Sequence, residues 1–156
     1  MKGSGVEMID SDFGIKGKNV IITGASKGLG RSCAEALAER GARILLGARS
    51  EDKLSAVHAS LDNSDDHIAC VGDLTTLEGI EALVAAAGSM GGVDVVLHAM
   101  GGGLGMREPL LKWNEFDALF KTNLGAAAEI NRLLIPDMVE RKTGNIVHVG
   151  SIASTE

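Results

Sequence analysis

The sequence predicts an α/β protein built on a doubly wound parallel sheet, and three observations lead there. Five short runs rich in β-branched and aliphatic residues stand out: NVIIT (19–23), ARILL (42–46), IACV (68–71), VDVVLH (93–98) and NIVHV (145–149). They are nearly continuous in apolar residues rather than alternating, which suits strands covered on both faces. Helical periodicity fills the intervals between them, and a β-α-β-α alternation implies right-handed crossovers between parallel strands. The first strand also runs straight into a glycine-rich turn, TGASKGLG (23–30).

Each element has its own local reason. Residues 1–12 carry no long apolar run and are expected to form a loose leader rather than a signal peptide. In the first helix Leu29, Cys33 and Leu37 recur every four residues and define its expected apolar line. Ser50 is placed to cap the second helix, whose inner face reads Leu54, Val57 and Leu61. Thr75 with Glu78 forms a candidate capping box for the third, with Leu77, Ile80, Leu83, Val84 and Ala87 as its stripe. A long helix is expected over 113–139, kinked or ended by Pro136. On it Phe116, Phe120, Asn123, Ala127, Ile130 and Leu134 are spaced to share one face. Asn123 is polar on that apolar stripe and needs a hydrogen-bonding reason. The loop GGGLGMREP (101–109) is the one stretch that reads as flexible.

Composition narrows the function. The net charge is −6, from 15 basic and 21 acidic residues, which disfavours a general nucleic-acid or anionic-membrane binder. No apolar run approaches the roughly 18 residues of a membrane span. Cys33 and Cys70 make neither a disulfide framework nor a metal spacing, and they read as small buried hydrophobes in a reduced, cytoplasmic protein. No His, Cys and acid cluster suggests a metal. His98 and His148 read as packed strand residues rather than ligands.

The glycine turn carries the first functional expectation. A glycine-rich strand-to-helix turn lets backbone N–H groups approach a phosphate, and the helix N-terminus favours the anion. Gly24 would allow the tight turn, Gly28 the close approach of backbone to ligand, and Gly30 the packing of helix on sheet. The fold is thus Rossmann-like, with a dinucleotide as the expected ligand.

At this point the chain resembles the short-chain dehydrogenases/reductases. The pattern T-G-x-x-x-G-x-G is that family's cofactor fingerprint. It is followed in order by GDL (72–74), HAMG (98–101), TNL (122–124) and GNIVHVGSIAS (144–154). IITGASKGLG and HVGSIAS look most like the ketoacyl-carrier-protein reductases. HAMG departs from the family's N-N-A-G; Gly101 is kept, while His98, Ala99 and Met100 do not match. The cofactor-binding candidates are Gly24, Ser26, Lys27, Gly28, Leu29, Gly30, Arg49, Asp73, Leu74 and Gly101. The resemblance implies that Asp73, with Leu74 beside it, meets the adenine.

The choice of cofactor turns on the end of the second strand. An acid there bonds the ribose 2′-OH of NAD(H). Here the stretch reads GARS (47–50), with Ala48 at the acidic position and Arg49 after it. A guanidinium pairs with a 2′-phosphate that a carboxylate would repel. Lys27 adds a second positive charge, so NADP(H) is expected over NAD(H).

The resemblance also assigns the chemistry: hydride transfer between nicotinamide and a carbonyl or alcohol carbon of a small molecule. Ser151 would bond the substrate oxygen. Asn123 would hold a water in a proton relay. The proton donor would be a tyrosine in a Tyr-x-x-x-Lys pattern further along. This chain has no tyrosine and ends at Glu156. The expectation is therefore a sheet truncated after its fifth strand, with residues 13–156 an incomplete dinucleotide-binding domain of a longer enzyme that forms homo-oligomers. Two alternatives stay open: a non-catalytic dinucleotide-binding module that senses redox state or acts as a scaffold, and a different chemistry using another acid.

Overall fold

A computed structural model describes residues 13–151 of the chain. The expected leader at 1–12, and Ile152 onward in the HVGSIAS block, lie outside the described residues. The five strands are β1 (Asn19–Thr23), β2 (Arg43–Ala48), β3 (Ile68–Val71), β4 (Val95–His98) and β5 (Asn145–His148). They form one parallel sheet in the order β3-β2-β1-β4-β5. The helices are α1 (Gly28–Ala38), α2 (Glu51–Ser60), α3 (Leu77–Gly88), α4 (Trp113–Phe120) and α5 (Ala126–Arg141). The strand order reverses between β1 and β4, where doubly wound sheets open a crevice at their carboxyl ends.

Strand alternation sends neighbouring residues to opposite faces. Val20 and Ile22 join Ile44, Leu46, Ala34 and Leu54 on the side of α1 and α2. Ile21 joins Leu45, Leu83, Val96, Ile130 and Leu134 on the side of α3 and α5. The two cores make a three-layer α/β/α sandwich. Each fully buried Ile or Leu contributes roughly 1.5–3 kcal/mol by leaving water.

Four local expectations need correction. On α1 the buried residues are Gly30, Ala34 and Ala38, whereas Leu29 is 56% exposed. The helix lies so close to its neighbours that only small residues fit directly beneath it, while Cys33 and Leu37 are half-buried at its flank and Leu29 is turned outward. At α3 the cap is Thr76, whose hydroxyl accepts from the Gly79 N–H at 3.2 Å. Thr75 is engaged instead with Asp73, and Leu77 is exposed. Ser50 occupies the N-cap position of α2 without a side-chain cap bond. Pro136 does not end the long helix, which continues through it to Arg141.

The long helix holds a π-helical turn over Lys121–Gly125, where the Ala126 N–H reaches back to the Lys121 carbonyl. One extra residue in a turn rotates everything after it by roughly 100°. The single apolar face expected from the spacing is therefore split. Ala127, Ile130 and Leu134 are buried, while Phe116 and Phe120 are about half exposed and Asn123 is on the surface.

Cys33 and Cys70 are half-buried rather than fully buried, each against a different core cluster. Burial pushes the Cys70 thiol up from its ordinary value. Among the described residues no helix is long and apolar enough to cross a membrane, and no three His, Cys, Asp or Glu side chains gather as metal ligands.

Candidate active site

A groove of about 690 Å³ opens at the carboxyl ends of β1, β2 and β4. Its floor is the glycine turn. Gly24 sits at φ +72°, and a Cβ there would lie 2.8 Å from the Met100 nitrogen, so β1 and the HAMG segment meet backbone to backbone. Gly28 sits at φ +54° with open space where a Cβ would project. A Cβ on Gly30 would lie 2.5 Å from the Gly24 carbonyl oxygen. Gly30 thus packs α1 against the glycine turn itself, a closer partner than the sheet.

The start of α1 suits an anion. Lys27 occupies the N-cap with no side-chain cap bond, and the first turn contains no acid. Its leading N–H groups and the positive end of the helix dipole are left for a ligand.

Gly24, Ser26, Lys27, Gly28, Leu29, Arg49, Leu74 and Gly101 all line the groove. Lys53 joins them from the first turn of α2, which sequence reading missed. Its signal was available: it stands four residues after Arg49, one helical turn on. Ala48 lines the groove beside these cations, where a carboxylate would have opposed them.

Asp73 stands at the rim. Its carboxylate lies 3.9 Å from the Arg49 guanidinium, and it accepts from the Thr75 N–H at 2.9 Å and the Thr75 hydroxyl at 2.7 Å. Burial alone would raise this carboxyl, but the two Thr75 bonds and the Arg49 charge together hold it below the ordinary value.

Asn123 does not line the groove; it holds part of its wall. Its Oδ1 accepts from the Gly102 N–H at 2.8 Å, and its Nδ2 donates to the Gly102 carbonyl at 3.1 Å and the Leu119 carbonyl at 2.9 Å. The π-turn presents this carboxamide to the loop after β4. Gly101 allows the approach, since a Cβ there would lie 2.9 Å from Asn123 Oδ1. Ser151 is exposed beyond β5 and is not brought to the groove lining.

The two histidines pair with each other. His98 and His148 occupy matching positions on β4 and β5 and stack with ring centroids 4.6 Å apart. His98 is buried and its Nε2 lies 2.9 Å from Asn131 Oδ1, so it is packed and satisfied as expected. His148 is exposed, with Nε2 3.4 Å from Asn131 Nδ2.

Burial first, and the nearby His148 second, pull His98 below its ordinary value of 6.5, against the opposing effect of the Asn131 bond. A depressed histidine binds its proton more readily unfolded than folded. Its stability contribution is complete above 6.5 and is lost as pH falls through the lower folded value. Denaturant unfolding at a series of pH values should show stability declining below that point. His98→Asn should flatten the decline, and an unchanged slope in the variant would assign it elsewhere.

The geometry fits a dinucleotide. It offers open space over Gly28, an uncapped helix start and three cations at the rim.

A family profile described as short chain dehydrogenase matches residues 18–156. The chain is 32% identical over 139 residues to an NADPH-dependent pterin aldehyde reductase of Arabidopsis thaliana, covering 88% of this chain and 57% of that protein. It is 33% identical over 145 residues to a 3-oxoacyl-(acyl-carrier-protein) reductase of Vibrio cholerae, covering 90% and 57%. The crystal structure of L-sorbose reductase from Gluconobacter frateurii, complexed with NADPH and L-sorbose, matches with a TM-score of 0.84 at 33% identity. That match covers 92% of this chain and 56% of the other. The chain thus spans a little over half the length of these relatives. Over that length sequence and fold agree, and the chain belongs to the short-chain dehydrogenase/reductase family of oxidoreductases.

Proposed function

We propose that the chain is the cofactor-binding portion of an NADP(H)-dependent oxidoreductase acting on a small carbonyl or alcohol substrate. The observation that carries this reading is the trio Lys27, Arg49 and Lys53 around the groove, with Ala48 in place of an acid. The relatives support it, since NADPH or NADP stands in the names or titles of several.

In this reading the bound nicotinamide supplies or accepts the hydride. The start of α1 holds the pyrophosphate, Arg49 and Lys27 hold the 2′-phosphate, and Asp73 with Leu74 meets the adenine. Asn123 fixes the Gly102 backbone and serves the proton relay. The Ser151 hydroxyl bonds the substrate oxygen and fixes its orientation.

This chain contains no tyrosine. The family's proton donor is then carried by a continuation of the chain in a longer protein. Two surfaces suit such a continuation. Among the described residues β5 pairs only with β4, and Val147 on it and Val149 just after it are exposed, an edge ready for another parallel strand. Beside it a groove of about 650 Å³ is lined by Ile135, Val139 and Ile146, which a further helix would cover. Trp113, Phe116 and Phe120 form a stacked, exposed row on α4, which favours association with a second copy. The half-buried, unpaired cysteines suit the reducing cytoplasm. A second reading, a dinucleotide-binding module without turnover, would use the same groove.

Titration with NADPH and NADH tests the cofactor assignment. NADPH should bind at least about tenfold more tightly, the yield of one or two charge-assisted bonds to the 2′-phosphate. Equal affinities would sink the assignment. The intact mass of the protein from its native source separates the two readings. A value well above 16.1 kDa supports the enzyme, and a value at 16.1 kDa supports the module.

A further inference from the structure

Thr23 ends β1 and begins the glycine turn. It is 1% exposed, and its hydroxyl is the buried side-chain polar atom without a hydrogen-bond partner among the described residues. Native folds seldom leave such a group unsatisfied. The Thr23 side chain borders a second, much smaller cavity of about 20 Å³, whose walls include His98, Thr122, Asn123 and His148. A water needs roughly 10–15 Å³ and two to four polar partners, whereas purely apolar cavities stay dry. The volume admits one water and excludes any larger ligand.

We infer that this cavity is a binding site for a single structural water, bonded to the Thr23 hydroxyl and to the polar groups facing it. The chemistry of the walls suits such a guest. His98 Nε2 lies 2.9 Å from the acceptor Asn131 Oδ1 and donates to it, so in the neutral ring the other nitrogen offers a lone pair. Asn123 Oδ1 accepts from Gly102 N–H and has a second lone pair to offer. The hydroxyls of Thr23 and Thr122 each donate and accept.

The position gives the water a purpose. The Ala99 N–H donates to the Thr23 carbonyl, and the Val149 N–H donates to the His98 carbonyl, so the ends of β1, β4 and β5 converge here. A water at this point ties those three ends to the π-turn that carries Asn123. It thereby stiffens the segment from which the glycine turn springs. The inference rests on the orphaned hydroxyl and the cavity, and does not depend on the cofactor assignment.

Thr23→Val removes the hydroxyl at nearly constant shape, and Thr23→Ser keeps it. In the full chain, Thr23→Val should lower the folding equilibrium constant about tenfold, because the water loses its anchor. Thr23→Ser should lose less. Water–protein NMR cross-peaks should mark a long-lived water near Thr23 and His98 in the native chain and in Thr23→Ser, and vanish in Thr23→Val. A Thr23→Val variant as stable as the native chain, or more so, would overturn the site, since replacing a dry orphan hydroxyl by a methyl is neutral or favourable. Absence of the long-lived water signal in the native chain would overturn it whatever the stabilities. If Thr23→Val fails to fold, the native chain and Thr23→Ser decide by that signal alone.

Discussion

Replacing Gly24 by valine is expected to abolish NADPH binding and to destabilise the fold by about 2–5 kcal/mol. Two costs combine. The residue sits at φ +72°, where a β-branched side chain is strained by roughly 1–3 kcal/mol. The added Cβ would also lie 2.8 Å from the Met100 nitrogen and 2.9 Å from the Ala99 carbonyl carbon and oxygen. All three are backbone atoms of the segment after β4, so no side chain can swing aside. Relief must come from parting β1 from β4 at the floor of the groove, which displaces the N–H groups meant for the phosphate. Gly28→Ala is the control. Gly28 also has a positive φ but nothing within 4 Å of its Cβ, so that variant carries the strain without the collision. Denaturant unfolding of both variants and NADPH titration of Gly24→Val check the expectation. A Gly24→Val protein that binds NADPH like the native chain would show that this turn is not the phosphate cradle.

Arg49→Glu should weaken NADPH binding about a hundredfold while leaving NADH binding within a few-fold. A charge-assisted bond to the 2′-phosphate contributes about 1.5–3 kcal/mol, and the new carboxylate repels that group. NADH lacks the phosphate and loses nothing of that kind. Stability should barely change. Arg49 is 64% exposed and 3.9 Å from Asp73, and an exposed ion pair of that length contributes under about 1 kcal/mol. Side-by-side titration with the two cofactors is the measurement. Equal weakening of both would show that Arg49 supports the groove in general and does not select the cofactor.

Much of this was legible before any coordinates. The five apolar runs became five parallel strands; the central three, β1, β2 and β4, are covered on both faces, as continuous apolar runs require, whereas the edge strands β3 and β5 stay partly exposed. The glycine turn and Lys27 sit together because a strand-turn-helix unit is fixed locally, and Arg49 joins them because β2 pairs in parallel with β1 and ends beside that turn. What failed to read through was contact between elements. Lys53 was passed over because a lysine on a helix surface looks like any solvated charge until Arg49 and Ala48 stand beside it. The line Leu29, Cys33 and Leu37 obeyed the helical period, yet Leu29 points outward and Cys33 and Leu37 only flank the core, because α1 presses its glycine and alanine face onto it. Period alone cannot tell a close-packed small-residue face from a looser large-residue one.

The sequence by itself determined the layered α/β architecture, the strand boundaries to within about two residues and the glycine-rich turn that opens α1, since each follows from neighbours along the chain. Only the tertiary structure decided where Asn123 points, how the Thr23 hydroxyl is left without a partner among the described residues, and that His98 and His148 stack across adjacent strands. A π-turn changes the direction of a helix face without altering its composition, and side chains meet across strands only after the order β3-β2-β1-β4-β5 has brought residues far apart in sequence into register.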